Sequence, residues 1–396
     1  MLQKATRRQS KDHNKGLVLR TVYQAGWISR ADVARATTLA RPTVSTAVAE
    51  LIHEGLVTES GMGPSVGGKP PILLRVEDDS RYMIGVDLAE SEFRGALVNL
   101  RGTIRRRLSL PIDDQDGEAA LALVHRLIHE LVQASDRPIV GIGIGTPGLM
   151  DVGRGVVRDA VNLNWRDLPL GDMLEARHRL PVYIANDSQV ASLAEMTFGH
   201  GKDLANLIVV KVGRGIGAGI VLDRRPYYGD DYGAGEIGHI VVEPGGRECR
   251  CGNRGCLETV ASTRTLVQRA QAMWDDGRPS LLHRLVSSPD EITTGVLVQA
   301  AEAGDEAVRA LVAEAGAHLG QVISHLVGGL NIDHIVIAGS MARFGDALIR
   351  PIQEYVGSHS LRALAENARV EASELGQDIV ILGAAALLLS QELQLS

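Results

Sequence analysis

Cysteine is scarce in this chain, and long apolar runs are missing. Only three cysteines, Cys249, Cys251 and Cys256, occur in 396 residues, all within eight positions. An odd number so clustered fits a disulfide framework poorly, and nothing in the composition points to an oxidising compartment. No apolar run reaches the ~18 to 20 residues needed to span a bilayer, and the polar, basic N-terminus lacks the apolar core of a secretory signal. A cytoplasmic protein without a membrane partner is expected. There is no large excess of either charge, the whole chain carrying −7, but the distribution is uneven. Residues 1–75 hold eleven Lys and Arg against five Asp and Glu, a net of +6, which leaves −13 on the remaining 321 residues. A basic head on an acidic body implies that only the head meets a polyanion. The length exceeds one ordinary core and suggests two or three domains. Hydrophobic residues at 45% and charged residues at 22% are those of a soluble globular protein.

The three cysteines keep company with a histidine. Residues 236–258 read E-I-G-H-I-V-V-E-P-G-G-R-E-C-R-C-G-N-R-G-C-L-E, with His239 nine intervening residues before Cys249. Three thiolates and one imidazole form a complete tetrahedral set for zinc, and a closed set of four leaves no position for a reactive water. A structural Zn2+ held by His239, Cys249, Cys251 and Cys256 is therefore expected, with Gly252 and Gly255 easing the tight backbone of C-x-C-x4-C. Two flanking acids, Glu236 and Glu258, are not needed by the metal.

The head reads as helices followed by a hairpin. Leu17, Val18, Leu19, Val22 and Tyr23 have helical spacing over about 15–25, and Gly26 ends that segment. Ser29 with Asp32 three residues on resembles a capping box and starts a short helix through Thr37. Thr38-Leu39-Ala40 makes a turn, and Arg41-Pro42 opens a further helix whose inner stripe is Val44, Val48, Leu51 and Ile52. Its other face offers Arg41, Thr43, Ser45 and Thr46, small polar groups and a cation suited to a major groove. Two apolar runs, 55–59 and 72–76, flank a glycine- and proline-rich tip containing Lys69 and read as a β-hairpin wing. A small helical protein-interaction domain is the competing interpretation. The order of elements together with the local positive charge favours DNA.

The body begins at Tyr82. Residues 82–88 and 93–100 form a hairpin, 103–110 a third strand, 117–134 a helix, and 139–144 a buried strand opening into Gly145-Thr146-Pro147-Gly148. Strands first, then alternating helix and strand, indicate an α/β domain with a mixed sheet. The order recurs at 207–212, 220–222 and 335–339, with long helices near 294–303 and 305–328 between them. Two copies imply two lobes with a cleft. At 182–187 a strand ends in Asn186 and Asp187, the carboxyl end that faces the crevice of such folds. Asp187 is a candidate general base and equally a candidate N-cap for the helix that follows. The run containing Gly213, Gly215 and Gly217 is a phosphate cradle or simply a tight hairpin turn. A polyhydroxylated ligand would suit Asn186, Asp187, Glu236 and Glu258, because each carboxylate accepts two hydroxyls. His239 could hold zinc through one ring nitrogen and donate to that ligand through the other.

These motifs together, E-I-G-H, C-x-C-G-N-R-G-C-L-E, G-T-P-G, N-D and the head with its G-G-K-P-P tip, resemble the ROK family of repressors and sugar kinases over nearly the whole chain. The architecture resembles that of the xylose-operon repressors and similar regulators with a winged helix. The resemblance implies a winged helix-turn-helix over 1–80 and a two-lobed actin/hexokinase-like domain over 81–396. It also implies sugar binding by Asn162, Asn186, Asp187, Glu236, His239 and Glu258, with the zinc set as above. Kinases of the family begin D-x-G-G-T; this chain has Asp87-Leu88-Ala89-Glu90-Ser91, which places a carboxylate where a polyphosphate must approach. Arg214 replaces a small hydroxyl residue in the second loop, and Ala338-Gly339-Ser340 a fuller glycine run. The expectation is a repressor that binds operator DNA, senses a monosaccharide such as xylose without phosphorylating it, and works as a homodimer or higher homo-oligomer. The alternative is an ATP-dependent sugar kinase with an appended DNA-binding domain, in which Asp187 is the catalytic base.

Overall fold

The computed structural model describes residues 7–64, 70–89, 91–113 and 115–395. The head comprises α1 (Arg7–Ala25), β1 (Ile28–Ser29), α2 (Arg30–Thr37), α3 (Arg41–His53), β2 (Val57–Met62) and β3 (Ile72–Val76). Its core is built from Val18, Val22, Val33, Val44, Val48, Leu51 and Leu74, all buried. Ser29 caps α2, its side chain accepting from the Asp32 amide at 3.2 Å, and Thr38 takes the left-handed conformation that ends the helix. β2 and β3 pair antiparallel, Val57 opposite Val76, and β1 adds to the outer side of β3. Helix α1 begins well before the apolar spacing that predicts it. Its first turns are polar and lie against α3 through Lys11–Glu50 and Lys15–Glu54 pairs, each 2.7 Å.

Lobe one contains β4 (Tyr82–Leu88), β5 (Glu92–Asn99), β6 (Ile104–Pro111), α4 (Gly117–Gln133) and β7 (Ile139–Thr146). A small antiparallel sheet of β8 (Leu149–Asp151), β9 (Val156–Ala160) and β10 (Trp165–Leu168) follows, then α5 (Leu170–His178), β11 (Val182–Asn186) and α6 (Asp187–Phe198). Lobe two contains β12 (Leu207–Val212), β13 (Ile216–Leu222), β14 (Arg225–Tyr227), α7 (Glu258–Ala261), α8 (Thr263–Asp275), α9 (Leu282–Leu285), α10 (Thr294–Glu302) and α11 (Glu306–Leu330). It ends with β15 (His334–Ala338), α12 (Asp346–His359), α13 (Arg362–Ala365), β16 (Arg369–Ala372) and α14 (Ile379–Glu392).

The two main sheets have the same plan. One runs β11-β7-β4-β5-β6 and the other β14-β13-β12-β15-β16. In each, an antiparallel meander of three strands is extended by two parallel strands reached through helical crossovers. The repeat seen in the sequence is therefore a repeat of topology. The last helix, α14, returns to lobe one and is buried along Ile379–Leu389. It presses on β4 and β7 where the strands carry glycine: a Cβ at Gly85 would lie 2.3 Å from the Ile381 carbonyl oxygen, and one at Gly143 2.1 Å from that of Ala384.

The head is seated on the body by specific contacts. Tyr23 Oη donates to the Leu100 carbonyl at 2.8 Å, and the Arg101 guanidinium lies 3.9 Å above the Tyr23 ring. Arg20 Nε donates to the carbonyl of Gln394, just past α14, at 2.7 Å. Among the described residues no helix is long and apolar enough to cross a membrane.

Candidate functional site

The segment between β14 and α7 brings His239, Cys249, Cys251 and Cys256 together, their ligand atoms all within 4.8 Å of one another. Cys251 Sγ lies 3.7 Å from Cys256 Sγ, and Cys249 Sγ lies 3.6 Å from His239 Nδ1. A tetrahedral zinc with normal bond lengths has S···S edges of about 3.8 Å and S···N edges of about 3.5 Å. The residues fit that ion. The loop is closed by its own backbone, Cys249 N donating to Asn253 O at 2.8 Å and Gly255 N to Arg247 O at 2.7 Å. Gly255 has φ +76°, and a Cβ there would meet the Glu243 carbonyl oxygen at 1.7 Å, so no other residue fits. Burial pushes the Cys249 thiol up and the Cys256 thiol up to about 12, whereas a backbone hydrogen bond from Asn253 pulls the exposed Cys251 thiol down, so the two buried thiols would release protons on binding a metal.

With Nδ1 facing the cysteines, His239 turns Nε2 toward Glu236, 4.0 Å from Oε2. The E-I-G-H turn is pressed onto the start of β13, where a Cβ at Gly238 would lie 2.2 Å from Ile216 O. Glu258, two residues past Cys256, accepts the Ile216 amide at 3.1 Å. Both acids are thus placed by the metal loop and by the glycine hairpin beside it. Burial pushes the Glu236 carboxyl above its ordinary range; the His239 imidazole opposes this, and the nearby Asp187 and Glu258 charges reinforce it.

The other wall comes from the carboxyl ends of parallel strands in lobe one. The N-cap of α6 is Asn186, whose side chain accepts the Ser188 amide at 2.8 Å and donates to Gly148 O at 3.0 Å. The capping interpretation of Asp187 is thereby corrected. Asp187 is the first helical residue, and because Asn186 supplies the cap its carboxylate is left for other partners. One oxygen receives Lys211 Nζ from β12 at 2.7 Å. Behind it Asp87, 1% exposed, pairs with Arg94. Sequence reasoning does not single out Lys211 or Arg94, because a lysine in an apolar strand and an arginine in a hairpin have no local signature. Asn162 sits on a single 3-10 turn (Val161–Leu163) and accepts from Arg250, which projects from the metal loop between two of the cysteines.

The glycine run divides. Gly213 N bonds to Gly215 O at 2.9 Å, closing the tight turn between β12 and β13, and a Cβ at Gly215 would lie 3.0 Å from Glu258 Oε2. Gly217 has a packing reason, since a Cβ there would lie 2.4 Å from Ser188 Oγ on α6. On the head, Arg41, Ser45 and Thr46 are exposed and Thr43 is half-buried. Thr46 Oγ1 donates back to Pro42 O at 3.0 Å, and Thr43 and Thr46 line a groove of about 380 Å³ between α3 and the polar start of α1. Lys11, Lys15, Arg30 and Arg35 are paired with acids of the head itself, whereas Arg41 has no acidic partner among the described residues. Lys69 and Glu90 lie outside the described residues.

A winged helix-turn-helix head on a two-lobed actin/hexokinase-like body, with a loop of one histidine and three cysteines in the second lobe, has the architecture of a transcriptional regulator built on a kinase-like fold. The chain belongs to the ROK family, whose sequence model matches residues 83–391. It is 34% identical over 390 residues to a xylose repressor of Caldicellulosiruptor bescii, covering 97% of each chain. It is 35% identical over 319 residues to a glucokinase of Halalkalibacterium halodurans, covering 79% of this chain and 96% of the other. A crystal structure of a ROK-family transcriptional regulator, a homologue of the E. coli Mlc protein, superposes with a TM-score of 0.83 at 29% identity, covering 98% of each chain.

Proposed function

We propose that this chain is a monosaccharide-responsive transcriptional repressor that binds operator DNA through residues 1–80 and senses its effector in the cleft of residues 81–396. The observation that carries this is the convergence of Asp187, Glu236 and Glu258 beside a metal loop, in a chain that matches a repressor over its full length. Carboxylates held by the Ile216 amide, the Lys211 ammonium and a metal-held imidazole accept hydrogen bonds from sugar hydroxyls without reorganising. In this reading zinc occupies His239, Cys249, Cys251 and Cys256; Asn162 and Asn186 complete the sugar shell. Xylose is the first effector to test because of the Caldicellulosiruptor relative.

Sugar that binds between the lobes favours one lobe arrangement, and it acts only through its differential affinity for the DNA-competent and incompetent states. The route is short. Asp187 begins α6, α6 packs along α14, and the segment just past α14 holds Arg20 of the head. In a homodimer a shift of this seat changes the spacing of two heads and thus their fit to a two-fold operator. Arg41, Thr43, Ser45 and Thr46 read the groove, with Lys69 on the wing.

The second reading, an ATP-dependent kinase in which Asp187 is the base and Gly213, Gly215 and Gly217 hold phosphate, draws support from the glucokinase relative. Against it stand the Lys211 ammonium on Asp187, the packing role of Gly217 and the D-L-A-E-S loop. A thermal-shift screen against common monosaccharides, followed by operator-shift and ATP-turnover assays with the sugar that binds, tests the proposal. A shift with one sugar and release of operator DNA are expected. Stoichiometric sugar phosphate formation would establish the kinase.

A further inference from the structure

Four charges meet in the floor of the cleft: Asp187 at the start of α6, Asp87 at the end of β4, Arg94 on β5 and Lys211 on β12. Three belong to lobe one, and Lys211 reaches them from lobe two. It lies on the central strand of its sheet, opposite Gly217 on one side and Ala338 on the other, where a side chain would ordinarily be apolar. Its side chain is 21% exposed and that of Asp187 16%. Parallel pairing of β4, β7 and β11 brings Asp87 and Asp187 to the same end of one sheet, two strands apart. Glu236 adds a further carboxylate facing Asp187 from the E-I-G-H turn.

Clustered carboxylates that lack a counter-ion share protons instead of ionising together. A catalytic site for a metal nucleotide would recruit a divalent cation to such a pair. In this chain Arg94 already pairs with Asp87 and Lys211 with Asp187. We infer that Lys211 is a positioning residue that serves as the resident counter-cation of the cleft, balancing the Asp187 and Asp87 carboxylates and suiting the site to a neutral polyhydroxylated ligand. The sugar-binding half of this rests on the function proposed above; the charge-balancing half does not.

Although its burial opposes the charged form, the two aspartates hold Lys211 above the ordinary lysine range, in keeping with a permanently protonated ammonium. The Asp187 oxygen that it occupies leaves the second, which is 3.2 Å from Ser188 Oγ, as an acceptor for a hydroxyl. The same pair bridges the lobes, so a ligand that changes lobe separation also changes this contact.

The test compares full-length wild-type protein with Lys211→Met and with the charge-balanced double variant Asp87→Asn/Lys211→Met. Thermal midpoints are measured from pH 5 to 8.5, and sugar affinity at the ends of that range. Burial already pushes the Asp87 carboxyl above its ordinary range, and Arg94 and Lys211 pull it back; removing the ammonium lets it rise further, so the stability it contributes is greatest at low pH and lost as pH rises through the folded-state value. The deficit of Lys211→Met relative to wild type should therefore grow steadily with pH and disappear in the double variant. Sugar affinity of Lys211→Met should fall by on the order of tenfold at pH 5.5, where the unbalanced pair shares a proton and one charged hydrogen bond is lost, and recover toward pH 8. A deficit equal at every pH overturns the inference, because a packing role has no reason to titrate. If Lys211→Met does not fold, recovery of a soluble double variant supports the inference and its failure to fold overturns it. Wild-type protein that binds no monosaccharide overturns the sensor reading, while the pH comparison still decides the charge role.

Discussion

Replacing Cys251 with serine isolates what the metal loop contributes. Cys251 is exposed, so the change opens no core cavity, yet it removes one of the four groups that would ligate zinc, at a 3.7 Å edge of the tetrahedron. Without the ion, the segment that carries Glu236 three residues before His239, and Glu258 two residues after Cys256, is held only by its backbone turns and the Ile216 amide. A hydrogen bond to a charged acceptor is worth about 1.5–3 kcal/mol. Misplacing one of the two carboxylates should then weaken sugar binding roughly 10- to 150-fold, and misplacing both by more. The measurement is isothermal titration with the sugar found by thermal shift, alongside metal content by mass spectrometry. Operator affinity in the absence of sugar should change little, because the head contacts the body through Tyr23 and Arg20, far along the chain from the loop. Metal-free protein that keeps wild-type sugar affinity would refute the reasoning.

Arg41→Ala should lower operator affinity and reduce the salt slope by about one while leaving sugar affinity unchanged; an unaltered slope removes Arg41 from the interface. Glu236→Gln should weaken sugar binding yet raise the thermal midpoint of the free protein. Its folded-state carboxyl lies above the unfolded value, so its ionisation opposes folding as pH rises through that folded value. The gain should be larger at pH 8 than at pH 5, and calorimetry at the two pH values checks it. Gly217→Val should destabilise the body, since its side chain would collide with Ser188. Normal thermal stability in that variant would return the glycine to the ligand site.

Several features are readable because they are local. The set of His239 and the three cysteines is evident from spacing, and Ser29 caps α2 as its position before Asp32 predicts. The glycines that ease the metal loop announce themselves for the same reason: a left-handed backbone at Gly255 permits little else. Helix α14 is not legible in this way. Its residues are apolar on every side, buried between lobe one and α6, so they show no helical period. The early start of α1 is hidden too, because its first turns are held by Lys11 and Lys15 pairing with acids on α3, contacts that no periodicity encodes.

The sequence by itself therefore determined the metal set, the division into a basic head and a duplicated body, and the family. Each depends on residue types at short separations or on a pattern that repeats along the chain. Only the tertiary structure decided that Asn186 caps α6 and frees Asp187, that Gly217 makes room for Ser188, and that Arg250 meets Asn162. It alone brought Lys211 across the cleft to Asp187, two residues 24 positions apart that belong to different lobes. Such pairings are fixed by tertiary packing, that of α6 against β12 and β13 for Lys211 and Gly217, and electrostatic roles follow from it.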